Sequence, residues 1–283
     1  MRDETRSYRG IAVLCIAVAL AAAAASAAGL AWRGSGETKT VTRVRGETYE
    51  MVIDGVYAYN AQRVVAEGIG WDAVTLFLAV PALLAAAFLI GRGSLRGRLL
   101  ALGLLAYLFY QYMMYAVYWD IGPLFPLYIV IYPACIAGIA WIVSTVPVGR
   151  LPSMAGESFP RVGMAVLSFI VALVLLGMWS ARIAAALSGE IQGVLLGQDT
   201  LDVQVFDLGL IVPLAVYAAG YLLSTVLAVK AVTMAAAIDA MLISAWQVEG
   251  ALEIPPFIFF SAVTIAALWL SIRMFRSLPE GRL

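Results

Sequence analysis

Eight times between residues 11 and 274 this chain stays apolar for the length that a helix needs to cross a bilayer, and no other feature constrains its fold as much. The segments run approximately over 11–32, 73–91, 99–118, 124–146, 163–187, 208–229, 231–248 and 257–274. A hydrocarbon core about 30 Å thick takes about 20 residues of helix, and in lipid only helices and closed barrels satisfy their own backbone. The predicted fold is therefore all-α, a polytopic membrane bundle of eight transmembrane helices with the lipid bilayer as its first partner. The sixth and seventh segments form one apolar block of about forty residues, too long for a single crossing. Lys230 is the charge that divides it, and a tight inner turn is expected there.

Composition agrees with this and removes several chemistries. Hydrophobic residues make up 63% of the chain and charged residues 13%, against about 45–50% and 25% in a soluble domain. Eighteen basic residues balance eighteen acidic ones, so there is no basic field for a nucleic acid. Histidine is absent, which excludes histidine-ligated haem or zinc and a histidine general base. The two cysteines, Cys15 and Cys135, lie inside apolar runs and read as small core residues. No metal site and no cofactor is expected.

Charge asymmetry sets the orientation. With the N-terminus inside, twelve of the eighteen Lys and Arg residues fall on inner segments, while thirteen of the eighteen acids fall outside. The predicted location is the plasma membrane, with both termini cytoplasmic. The first span carries a basic start and the small-residue stretch "ASAAG", so a cleaved signal peptide is its rival reading.

The landmarks of residues 1–147 recur in 163–283. Each half has a first helix, an aromatic-Asp pair (Trp71-Asp72, Phe206-Asp207), a helix containing proline (Pro81, Pro213), a basic inner turn, a third helix, an acidic outer turn with prolines and a fourth helix. Two four-helix units are expected, 1–147 and 163–283, joined by a cytoplasmic linker 148–162. An even number of crossings per unit makes them parallel repeats. Without the first span the second unit would have one helix more than the first. Residues 33–70 would form a small outer cap, with a hairpin signal at Asp54-Gly55 and a short helix in "AYNAQRVVAEG".

Asp72 and Asp207 are expected to cap helices at the outer surface, with a binding role facing the outer mouth as the alternative. Tyr107, Tyr110 and Gln111 share one face of the third helix, and Tyr217 and Tyr221 are spaced i, i+4. Such a stripe either packs with its hydroxyls tied to neighbouring helices or walls a cavity for an apolar, cationic or lipid-like ligand. Asp239, inside "MAAAIDAMLI", is an acid at membrane depth that must face protein or water. Counting back from the acidic outer turns sets it level with Tyr110 and Gln111, its expected partners. The candidate ligand-binding set is Asp239, Tyr110, Gln111, Tyr107, Tyr217, Asp72 and Asp207. No catalytic residue is assigned, because no nucleophile elbow, phosphate loop or metalloprotease motif is visible.

The runs "GWDAVTLFLAVP", "RGSLRGRLLALGLLAYLFYQYMMYA", "GPLFPLYIVIY" and "FDLGLIVP" followed by "VKAVTM" resemble a group of uncharacterised prokaryotic polytopic membrane proteins. The resemblance covers most of the chain from residue 70 on, supports the segmentation and carries no activity. Trp119-Asp120 departs from the group, which has small residues and an asparagine before Pro-Leu-Phe. Three functional classes remain. The first is small-molecule transport or ligand binding in a cavity between the repeats. The second is a non-catalytic sensor or membrane-complex subunit with an unknown protein partner. The third is a lipid-modifying membrane enzyme using outer-face carboxylates, drawn from Asp72, Asp120, Asp202, Asp207, Glu249 and Glu253.

Overall fold

The computed structural model of the chain describes residues 2–194, 202–216 and 220–279. Among the described residues, seven helices are long and apolar enough to cross a membrane, which makes this a helical, multi-pass membrane protein. Helix α1 (Arg2–Ala31) leads to a two-stranded cap, β1 (Thr38–Thr42) and β2 (Thr48–Val52). Helices α2 (Gln62–Val74) and α3 (Val80–Gly91) form one continuous span. Helices α4 (Leu95–Val117) and α5 (Phe125–Thr145) follow, then the short α6 (Leu151–Met154) and the long α7 (Arg161–Leu187). The chain continues through α8 (Asp202–Phe206) and α9 (Val212–Val216), and ends with α10 (Tyr221–Glu249) and α11 (Ile254–Ser277).

Local chemistry explains the boundaries. The Ser94 side chain caps α4 by accepting from the Gly97 N–H. Gly250, at φ 75°, ends α10 in the left-handed conformation that glycine adopts without a Cβ penalty. The cap is a hairpin as expected, but it turns through Gly46 (φ 89°) and not through Asp54-Gly55. Asp54 instead accepts from the Ser35 N–H at 2.7 Å, and Gly55 lies against the Arg33 carbonyl.

The division at Lys230 is corrected. Lys230 is the tenth residue of the continuous α10, whose N-cap is Gly220. A lone lysine needs no turn when a neighbouring helix covers it, whereas glycine before an apolar run is an ordinary break.

Two π turns stand out. Between α2 and α3, residues Thr75–Ala79 carry a backbone bond from the Val80 N–H to the Thr75 carbonyl. Between α8 and α9, residues Asp207–Ile211 carry the same bond from Val212 to Asp207. Each precedes a proline, Pro81 or Pro213, which has no N–H for the helical ladder and crowds the preceding turn. The sequences "TLFLAVP" and "DLGLIVP" share both leucines and the Val-Pro.

The main core lies among α1, α2, α3, α4 and α5, with α10 packed along α2 and α4. Cys15 and Cys135 are free thiols buried in it. Gly103 of α4 lets the helix approach Val229 of α10 so closely that a Cβ would clash. Helix α7 touches α9, α10 and α11 but is mostly unburied, and apolar residues such as Val162 and Phe169 form its outward face.

Candidate functional site

The two aspartates of the repeated motif have different surroundings. Neither is a cap: Asp72 is the eleventh residue of α2, and Asp207 opens the π turn in the middle of an apolar helical stretch. Asp72 is fully buried and ringed by donors. The Tyr57 hydroxyl, carried in from the cap, donates to Oδ2, and Gln111 Nε2 donates to Oδ1 at 3.3 Å. The Tyr115 hydroxyl lies 3.4 Å from the same Oδ1 and 3.1 Å from the Gly68 carbonyl. Thr75, one turn on, donates to Gln111 Oε1 and sits 2.9 Å from the Tyr107 hydroxyl. Gly29 of α1 closes this site so tightly that a Cβ there would meet both Asp72 and Tyr57. It is a sealed polar knot joining the cap, α1, α2 and α4.

Asp207 receives one donor on each oxygen: the Tyr110 hydroxyl at 2.8 Å and the Trp179 indole N–H of α7 at 2.8 Å. Adjacent residues of α4 therefore serve the two aspartates, Gln111 the first and Tyr110 the second. Lys230 of α10 lies over the Tyr110 ring, with Nζ 4.5 Å from its centroid. Among the described residues the Lys230 ammonium has no carboxylate within ion-pair distance.

Beside this cluster is a cavity of about 560 Å³, with walls from both halves of the chain. Its lining includes Met164 near one end of α7 and Arg182 near the other. Eighteen residues at 1.5 Å each make this about 27 Å, close to the thickness of a hydrocarbon core. Lining positions 164, 167, 168, 171, 175, 178, 179 and 182 follow the helical period, so one face of α7 forms a wall along its length. The cavity is a long slot of mostly apolar surface, broken along its length by Lys230, Asp207, Tyr110 and Gln204 and at its mouth by Arg63, Glu67, Arg182 and Glu253. Gln204 is buried, yet its Oε1 has no hydrogen-bond partner.

The mouth of the slot on the side of the hairpin cap is braced by one cation. Arg63 pairs with Glu67 at 3.0 Å, Glu249 at 3.0 Å and Glu253 at 2.6 Å, tying α2 to the α10–α11 turn. Arg182 donates to the Val194 carbonyl at 2.8 Å. In that same loop Gln192 clasps the cap, exchanging two hydrogen bonds with the Thr48 backbone at 3.1 and 2.7 Å.

Of the residues expected from sequence, Tyr110 and Asp207 line the slot, whereas Tyr107, Gln111 and Asp72 belong to the sealed knot. Asp239 does not meet Tyr110 or Gln111. It accepts from Ser261 of α11 at 3.0 Å, leaving Oδ1 without a partner. Nine residues separate it from Lys230, which on a helix is about 180° of rotation, so the two face opposite sides of α10. Tyr217 lies outside the described residues. Lys230, Trp179, Gln204 and Tyr57 were not among the expected set. Lys230 had a sequence signal, a charge amid helix-forming residues without glycine or proline; Trp179 and Tyr57 had none beyond residue type.

Among the described residues, no group of three or more His, Cys, Asp or Glu side chains is placed to hold a metal ion. No protein-family model, no curated protein and no solved structure matches this chain.

Proposed function

We propose that this protein binds, and carries across the plasma membrane, a small and largely apolar molecule held in the slot between α7 and α10. The observation that carries the reading is the slot itself: about 560 Å³, within the usual range of ligand sites, and mostly apolar along a bilayer's depth, with one set of polar groups around Asp207 and Lys230 and another at the mouth around Arg63 and Arg182. Transport fits better than catalysis, because the outer-face carboxylates Glu249 and Glu253 are engaged by Arg63. Intramembrane charge on helices broken by proline is typical of transporter sites.

The same proposal includes eight crossings, cytoplasmic termini and a duplicated four-helix unit. In its favour, Asp207 meets Trp179 near the Arg182 end of α7, while Tyr221 packs against Phe159 and Arg161 at the other end, a separation that a further crossing would span. A single register also relates the halves. The π turns begin at Thr75 and Asp207, α4 and α10 end at Val117 and Glu249, and α5 and α11 end at Thr145 and Ser277. Each pair is 132 residues apart (207 − 75, 249 − 117, 277 − 145). The packing pairs α1 with α3, α4 with α5 and α1 with α5 recur as α7 with α9, α10 with α11 and α7 with α11.

Alkaline phosphatase fused after Lys39 should be active and fused after Ser94 or Ser153 silent; the reverse pattern would overturn the orientation. For the binding reading, Ala231 lines the slot, and Ala231→Trp should fill it. Native mass spectrometry of protein taken from its own membrane should find a bound small molecule in the wild type and none in Ala231→Trp at unchanged melting temperature. An empty wild type, or equal loading of both proteins, would sink the proposal.

A further inference from the structure

Resting on that reading of the slot, the charges in its wall point to the class of molecule that fills it. Six charged side chains line the slot: Arg63, Arg182 and Lys230 against Glu67, Glu253 and Asp207. The carboxylates are engaged. Glu67 and Glu253 share Arg63, and Asp207 is filled by two neutral donors, Tyr110 and Trp179. Because those donors are neutral, Asp207 is satisfied without consuming the lysine. Tyr110 touches both charges, donating to Asp207 through its hydroxyl and carrying Lys230 over its face. An ammonium has three donors and no acceptor. Here, among the described residues, it has the cation–π contact and a through-space attraction to Asp207 but no hydrogen bond or ion pair, in a segment where insertion of a bare lysine costs roughly 2.5–3.5 kcal/mol. Lys230 is otherwise buried, and it lines the slot.

Gln204 adds a complementary demand. Its Oε1 is a buried acceptor with nothing to accept from, on the same wall as Asp207 one turn away. Stranding such an atom costs about 1–3 kcal/mol unless something in the slot donates to it. Among the described lining residues the vacant functions are thus one set of cationic donors, one acceptor and the indole N–H of Trp71, beside a long apolar trough.

We infer that the slot takes a single-chain amphiphile with a monoanionic head: the head meets Lys230, a hydroxyl or amide N–H beside it meets Gln204, and the chain lies along α7. A carboxylate and a phosphodiester share this chemistry. Trp71, Trp119 and Trp179 line the slot and report on its contents.

The test uses the full chain in nanodiscs of zwitterionic lipid, with tryptophan quenching by brominated oleate and by the matching brominated alcohol. Oleate should quench saturably and bind at least about 10-fold tighter than the alcohol, the scale of one charge-assisted hydrogen bond. Lys230→Met should bring the acid down to the alcohol's affinity, and Lys230→Arg should restore most of the difference. Equal affinities of acid and alcohol in the wild type, or an unaltered acid affinity in a folded Lys230→Met, would overturn the anionic head while leaving the slot standing. If neither compound quenches, the slot reading itself falls, and this inference with it. The wild-type comparison decides alone if Lys230→Met does not fold. Displacement of the acid by lysophosphatidylglycerol marks the head as a phosphodiester and failure to displace marks it as a carboxylate; either upholds the anion.

Discussion

The protein builds one backbone device twice and encloses it differently each time. In the first half the polar pair ahead of the proline is Asp72 and Thr75, both fully buried among hydroxyls and an amide that satisfy them. In the second half the positions in the same register, 132 residues on, are Gln204 and Asp207 (204 − 72 and 207 − 75), and both line a slot. The carboxylate has moved by one helical turn relative to the π turn. With it the site changes from a closed hydrogen-bond knot to an open wall. The first half has the dense core of α1, α3, α4 and α5; the second leaves α7 standing off from α10. A π turn before proline leaves backbone irregularity that either half can use: sealed, it fixes helices in place, and open, it presents polar groups to a ligand.

The sharpest way to break this comparison is to remove each carboxylate in turn. Asp72→Leu strands the Tyr57 hydroxyl and the Gln111 amide in a dry core, at about 1–3 kcal/mol for each buried donor. We expect a loss of about 2–5 kcal/mol, seen as a fall in melting temperature. Asp207→Leu should cost about 1 kcal/mol or less, because Tyr110 can turn its hydroxyl to the slot and Trp179 borders it. Equal losses would mean that the slot is as dry and closed as the knot.

A smaller effect comes from shape alone. Gly29→Ala places a methyl against Asp72 and Tyr57, and overpacking of this kind typically costs about 1–3 kcal/mol. Gly209, in the second π turn, has nothing within 4 Å of an added Cβ, so Gly209→Ala should leave stability unchanged or raise it. Melting curves of the two variants in one detergent decide it, and a destabilising Gly209→Ala would show that the second half is packed as tightly as the first.

What could be read from the sequence divides along the same line. The apolar segments, the cap and the Val-Pro breaks follow from periodicity and residue type, so most spans appear where expected. The split at Lys230 failed because charge was weighed above Gly220; in an apolar block a buried lysine with an aromatic cover is compatible with unbroken helix, and glycine marks the break. The aromatic-Asp echo was visible, and beside it lies a second match, the Leu-x-Leu-x-Val-Pro run of the two π turns, which stands three residues out of register with the acids. The pairing of Asp239 with Tyr110 failed on helical phase, since counting depth along a helix does not say which way it faces. The slot itself is not in any local pattern. It lies between α7 and α10, which touch along only part of their length, a tertiary spacing that composition does not encode.

The cap touches both regions and offers the finest cut between them. Tyr57 enters the knot behind the hairpin, while Thr48 at the hairpin's edge is clasped by Gln192 near the mouth of the slot. Between them, exposed on β2, Glu50 accepts from the Thr40 hydroxyl at 2.6 Å across the strand pair. That bond, and to a lesser extent one from Thr38, holds the Glu50 carboxyl below its ordinary range. A depressed value in the folded state means that the contribution is present above the unfolded value of about 4.3 and is lost as the pH falls through the lower folded one. Between pH 7 and pH 3, hydrogen exchange corrected for its intrinsic rate should therefore quicken at the β1 and β2 amides and stay unchanged in α2 around Asp72. Glu50→Gln should flatten the hairpin's response while leaving the knot's protection as it is. Quickening of both regions together would show that the cap and the knot open as one unit, and the boundary drawn between an adjustable mouth and a sealed core would have to be moved inward.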